Sequence, residues 1–200
     1  MGGSLAGRQM SKVCAVFGGS RGIGKAVAKL LVQGGCKVAI LSRNLEATKA
    51  TAGEVGAHLA LSCDIAKEED VQRAFQDILK NLGAVNFLVN AAGISRDALL
   101  MRTKSEDLLS QLSINLIGPI NTCKVALRSM VQQQGGGIVN IGFIHTDMTS
   151  SLDKDSLSQM IPMGRFGEVD EVANAVAFLL ETPYITGHAL VVDGGLQLQI

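Results

Sequence analysis

Tryptophan is absent and tyrosine occurs once, as Tyr184, in 200 residues of which only 4% are aromatic. Base-stacking platforms need aromatic rings on a basic surface, and here 18 Lys and Arg are balanced by 18 Asp and Glu. Nucleic acid and anionic membrane surfaces are therefore set aside as partners, and small ligands are expected. No apolar run approaches the ~20 residues that span a bilayer, so no membrane segment is expected. The four cysteines, Cys14, Cys36, Cys63 and Cys123, form no CxxC pair and no metal-ligand spacing. That scatter argues against disulfides and a zinc site, and for buried free thiols. The opening MGGSLAGRQMSK has no apolar h-region, and Ala6 breaks the myristoylation pattern begun at Gly2. Arg8 and the lack of acidic residues before Glu46 fit a weak mitochondrial address, with a frayed terminus as the plainer alternative.

What is present is apolar residue in short, regular instalments. Hydrophobic residues make up 47% of the chain, enough for one sizeable core, so a flexible stretch over residues 1–11 and a single domain over 12–200 are expected. VCAVF at 13–17, KVAIL at 37–41, HLALSC at 58–63, FLVNAAG at 87–93, GIVNI at 137–141 and ALVVDGG at 189–195 read as strands. Between them, helical spacing covers 22–34, ending at Gly34 and Gly35, then 45–54, 67–82, about 105–133 and 168–180. A kink is expected near Gly118 and Pro119. Strands alternating with helices predict an α/β fold, a Rossmann-like doubly wound parallel sheet.

Between the first strand and first helix, Gly18, Gly22 and Gly24 form a G-x-x-x-G-x-G loop, GGSRGIG. Glycines there let backbone amides and the helix N-terminus approach a pyrophosphate, so dinucleotide binding is favoured over an ordinary tight turn. Ser20, Arg21 and Ile23 fill the loop. The second strand ends in Ser42, Arg43 and Asn44, where a cation can pair with a 2′-phosphate and no acid competes for ribose hydroxyls. NADPH is expected over NADH; Arg43 as a solvated surface charge is the alternative.

These residues resemble the short-chain dehydrogenase/reductase family over nearly all of the chain from Lys12 onward. Beside the glycine loop stand Asp64, followed by Ile65, after the third strand; Asn90, Ala91, Ala92 and Gly93 after the fourth; Asn115 in SINLIG; and GRFGEVDEVANAVAFLL with ITGHALVVDGG. The resemblance implies that Asp64 bonds the adenine, that the Asn90 motif supports the sheet and borders the cofactor, and that Asn115 holds a water in the proton relay. The cofactor-binding set is Gly18, Ser20, Arg21, Gly22, Ile23, Gly24, Arg43, Asn44, Asp64, Ile65, Asn90, Ala91, Gly93 and Thr146. Within the family, FGGSRGIG, NFLVNAAGI, RTKSEDLLSQL and IPMGRFGE are most similar to NADPH-dependent reductases of 3-oxoacyl-acyl-carrier-protein thioesters that also reduce quinones. A mitochondrial matrix location and a homo- or hetero-oligomer with another family member are implied, with the cytoplasm as alternative.

One departure is large. The family's catalytic Ser, its Tyr-x-x-x-Lys helix and a following strand belong between GIVNI and a Pro-Gly, yet Asn140, Ile141 and Gly142 run directly into FIHTDM. Tyr184 has His188, not Lys, four residues on, with Pro183 and Gly187 against a shared helix face; His145 has nothing nearby to orient it. The gap, comparable with much of a βαβ unit of ~30 residues, has the character of exon skipping or deletion. Three readings stand open: the family's NADPH-dependent reductase, a catalytically impaired cofactor-binding or assembly subunit, and a splice product of marginal stability. An unpaired edge at GIVNI, or direct pairing of the last strand with it, is the expected structural consequence.

Overall fold

The computed structural model describes residues 12–96, 98–141, 161–182 and 184–195. His145, Thr146 and the junction from Gly142 onward lie outside them, as do residues 1–11.

Five strands form one parallel sheet: β1 Val13–Phe17, β2 Lys37–Ser42, β3 Leu59–Ser62, β4 Val85–Asn90 and β5 Gly137–Asn140, in the order β3-β2-β1-β4-β5. The connecting helices are α1 Gly22–Gln33, α2 Leu45–Val55, α3 Glu68–Asn81, α4 Ser105–Leu112, α5 Gly118–Gln132 and α6 Val169–Glu181. Alternation along the central strands divides the core in two. Cys14, Val16, Val38 and Ile40 face α1, α2 and α6, whereas Ala15, Phe17, Ala39 and Leu41 face α3 and α5. Since both faces are covered, every residue of β1 is buried, which is why VCAVF reads as a continuous apolar run rather than an alternating one. The rings of Phe17 and Phe75 stack at 5.8 Å across the second layer. The order of the strands reverses between β1 and β4, and doubly wound sheets open a crevice for ligands at that point.

One expectation is corrected and one is made specific. Residues 189–195 form no strand; Leu190, Val191 and Val192 are exposed, and among the described residues β5 pairs with β4 alone. An apolar run becomes a strand only where a neighbouring strand offers its hydrogen bonds, and no strand beyond β5 is described to offer them. The kink at Gly118 and Pro119 takes the form of a π turn over Ser113–Ile117, directly ahead of α5. Pro119 has no N–H to give, and its ring crowds the carbonyl four residues back, so the wider turn accommodates it.

Candidate dinucleotide site

The site lies where the C-terminal ends of β1, β2 and β4 meet the N-terminus of α1. Gly18 has φ +81°, a backbone conformation in which a side chain is strained, and a Cβ there would collide with the backbone of Ala91 and Ala92. A Cβ on Gly24 would collide with the Gly18 carbonyl. The loop thus closes tightly on α1 and leaves its first turn bare. Arg21, the residue ahead of α1, makes no side-chain cap, and the first turn holds no acidic residue. Uncapped amides plus the helix dipole make an anion cradle. Ser20 is fixed from behind, its carbonyl accepting from Thr51 Oγ1 at 2.8 Å.

Beyond β2, Asn44 caps α2 by accepting from the Ala47 N–H at 3.1 Å, while Ser42 and Thr48 hydroxyls meet at 2.7 Å. Arg43 is exposed, and among the described residues no carboxylate pairs with its guanidinium. Asp64 shapes the turn after β3, accepting from the Ala66 N–H at 3.1 Å through one carboxylate oxygen. Asn90, 4% exposed at the end of β4, donates to Asn140 Oδ1 at 2.8 Å and accepts from Thr122 Oγ1 at 2.8 Å.

A cleft of about 1150 Å³ joins these parts. Gly18, Ser20, Arg21, Gly22, Ile23, Gly24, Arg43, Asn44, Asp64, Ile65, Asn90, Ala91, Gly93 and Asn115 all line it; of the expected residues only Thr146 is outside the description. Asn115 also has a structural part beside the one expected of it. Its amide is clasped to the Ile94 backbone, accepting from the N–H at 2.9 Å and donating to the carbonyl at 2.8 Å, so it first anchors the loop after β4. Sequence reasoning missed Asn140, Cys123 and Lys124, which also line the cleft; their signal, the period of α5 and the end of β5, becomes legible only once the two elements are placed side by side. Lys124 is held by Glu68 at 2.8 Å, which keeps that carboxyl below its ordinary range. Burial pushes the Cys63 thiol up to about 12, with Asp70 and Asp64 adding to the rise, and burial also raises Cys123. Both stay protonated at neutral pH, so the cleft offers no thiolate nucleophile. Tyr184 is 98% exposed, and neither it nor His188 lines the cleft. Among the described residues no cluster could hold a metal ion, and no helix is long and apolar enough to cross a membrane.

A short-chain dehydrogenase profile matches residues 12–156, spanning the glycine loop, β4 and Asn115, and an enoyl-(acyl carrier protein) reductase profile matches residues 141–197. The chain belongs to the short-chain dehydrogenase family. It is 56% identical to carbonyl reductase family member 4 of Xenopus tropicalis over 236 residues, covering 96% of this chain and 100% of the relative. It is 53% identical over 235 residues to the 3-oxoacyl-(acyl-carrier-protein) reductase of Homo sapiens, covering 94% and 99%. A bacterial relative, the 3-oxoacyl-(acyl-carrier-protein) reductase of Chlamydia trachomatis, is 32% identical over 247 residues. This kinship places the chain among reductases of the short-chain dehydrogenase type. An alignment of 236 positions that draws on 96% of a 200-residue chain leaves about 44 positions of the Xenopus relative unmatched.

Proposed function

We propose that this short-chain dehydrogenase is an NADPH-binding subunit of the line that reduces 3-oxoacyl-acyl-carrier-protein thioesters and other carbonyls, including quinones, and that these 200 residues hold the cofactor without efficient turnover. The observation that carries the first half is the pairing of an uncapped, acid-free helix start behind Gly18 with an Arg43 one strand away that no carboxylate among the described residues pairs with. The pyrophosphate is taken by amides of the α1 first turn, the adenosine ribose lies towards β2, and Arg43 pairs with a 2′-phosphate that an acidic residue would repel. When bound, the nicotinamide supplies a hydride. Asp64 keeps a carboxylate oxygen for the adenine amino group, and Asn90 with Ala91 and Gly93 floors the far end of the cleft.

The second half rests on what the sequence does not supply. Hydride delivery to a carbonyl needs a proton for the oxygen, and the sole tyrosine has no lysine four residues on and no place in the cleft. The roughly 44 unmatched positions and the overlap of the two family matches at 141–156 agree with one internal excision near Gly142. A matrix location and assembly with a second short-chain dehydrogenase that contributes the missing groups follow the same reading.

Calorimetric titration tests the cofactor half. NADPH is expected to bind saturably and more tightly than NADH, and Arg43→Glu is expected to weaken NADPH by roughly 10- to 100-fold, since a charge-assisted bond is worth about 1.5–3 kcal/mol. Equal affinities for the two nucleotides, unaffected by Arg43→Glu, would overturn it.

A further inference from the structure

A chain of side-chain hydrogen bonds crosses from the interior of α5 to the end of the cleft. Thr122, fully buried, donates through Oγ1 to Asn90 Oδ1 at 2.8 Å. Asn90 Nδ2 donates to Asn140 Oδ1 at 2.8 Å and, more weakly, to Cys123 Sγ at 3.6 Å. This arrangement satisfies the oxygen and both amide hydrogens of an almost fully buried asparagine, as burial demands. The Thr122 hydroxyl also lies 3.0 Å from the Pro119 carbonyl. In this arrangement Asn140 turns its oxygen inward, towards Asn90 Nδ2 and the Cys123 thiol at 3.8 Å, and its Nδ2 outward. Asn140 is exposed and lines the cleft, and among the described residues no acceptor takes its amide hydrogens.

We infer that Asn140 is a positioning residue for the cofactor, an N–H donor for the carbonyl oxygen of the nicotinamide carboxamide. The inference rests on the dinucleotide reading of the cleft. Arg43 follows β2 and Asn140 ends β5, with β1 and β4 between them, so a dinucleotide whose 2′-phosphate lies at Arg43 and whose pyrophosphate lies at the Gly18 loop brings its other ring to β4 and β5. A carboxamide lying on the sheet's end there meets a donor whose side chain is already held by Asn90 and Cys123, which lowers the ordering cost. The carbonyl of a ketone substrate is the other oxygen that the same donor could take, and it would sit above the ring rather than on the sheet.

The experiment compares NADPH with 2′,5′-ADP, which keeps the phosphates and adenosine but has no nicotinamide, by calorimetry on the full chain. In Asn140→Ala and Asn140→Asp, NADPH affinity is expected to fall about 5- to 20-fold while 2′,5′-ADP affinity stays within twofold, and the fluorescence enhancement of bound NADPH is expected to diminish. The aspartate still accepts from Asn90 but donates nothing, so it separates a lost donor from a lost fold. Thr122→Val is expected to weaken NADPH less, about 2- to 5-fold, by freeing the Asn90 amide to turn. Unchanged NADPH affinity in both Asn140 variants overturns the inference, and so does equal weakening of 2′,5′-ADP. If Asn140 serves the substrate carbonyl instead, NADPH affinity stays constant and only binding of an acetoacetyl thioester to the NADP-loaded protein falls, which also overturns it. A wild-type chain that binds neither nucleotide contradicts the dinucleotide reading itself, so the two failures are distinguishable.

Discussion

Gly18 and Gly53 show how differently one residue type behaves in two places. At Gly18 the left-handed backbone and the abutting Ala91–Ala92 backbone leave no room for a methyl group. Gly18→Ala should cost at least about 2 kcal/mol in urea unfolding, and with it NADPH binding. Gly53 is exposed inside α2 with nothing within 4 Å of a built Cβ, so Gly53→Ala should add about 0.5–1 kcal/mol in the same assay through lower unfolded-state entropy. A third residue carries a pH signature. Glu171 is held down to about 2 from an ordinary 4.5 by the Arg165 guanidinium, and it also caps α6 by accepting from the Glu168 N–H at 2.8 Å. A carboxyl whose folded pKa lies below its unfolded value stabilises above the unfolded pKa and loses that contribution as pH falls through the folded one. The stability gap between the wild type and Glu171→Gln should therefore be full at pH 6 and shrink between about pH 4.5 and about 2, as read by urea unfolding at pH 6 and pH 3. At this scale the lining of the cleft was legible in sequence because residue types follow chemistry: glycines where backbone must approach and, on the dinucleotide reading, arginine where a phosphate would be met. Asn140 was not, because its meaning comes from Thr122 and Asn90, 18 and 50 residues away in sequence and adjacent only after folding.

Among elements, the contrast lies between β1 and β5. β1 is paired on both sides and buried throughout, whereas β5, among the described residues, pairs only with β4. Hydrogen exchange should find β1 and β4 the slowest part of the molecule and β5 at least tenfold faster, since an edge opens without breaking the core. β5 amides as slow as those of β1 would mean that a further strand covers that edge. The same contrast explains what sequence patterns captured. β1 to β5 and all the long helices follow from apolar period and glycine punctuation, which are local properties. ALVVDGG has the composition of a strand and is not one, because pairing is a property of two segments and its composition says nothing of the second. The π turn before Gly118 escaped for a related reason: proline forbids a regular turn without specifying which irregular one replaces it.

On the scale of the whole molecule, the reversal of strand order makes a cleft, and the stretch from α4 to α5 leaves apolar side chains uncovered. Leu109 and Leu112 of α4 are about half exposed or more, while Leu116 of the π turn and Ile120 and Leu127 of α5, about half exposed as well, line the cleft. The exposed leucines of α4 are expected to be covered by association, and light scattering should show a mass above 21.0 kDa at tens of micromolar protein, lowered towards monomer by Leu112→Glu with Leu109→Glu. A monomer at all concentrations would count against assembly through this face. Ligand linkage acts on the whole fold as well: NADPH at 100 times its dissociation constant should stabilise the chain by about 2.7 kcal/mol, visible as a rise in Tm.

The central claim, a cofactor site retained without its proton donor, is met most directly by a single mixing experiment. Protein in excess over NADPH is combined with an acetoacetyl thioester while nicotinamide fluorescence and 340 nm absorbance are followed together. The account predicts the fluorescence change of bound NADPH with oxidation absent or slower by roughly 10²–10⁴-fold than in a family member that carries the tyrosine and lysine. Prompt oxidation of the bound NADPH, or no binding signal at all, would contradict it.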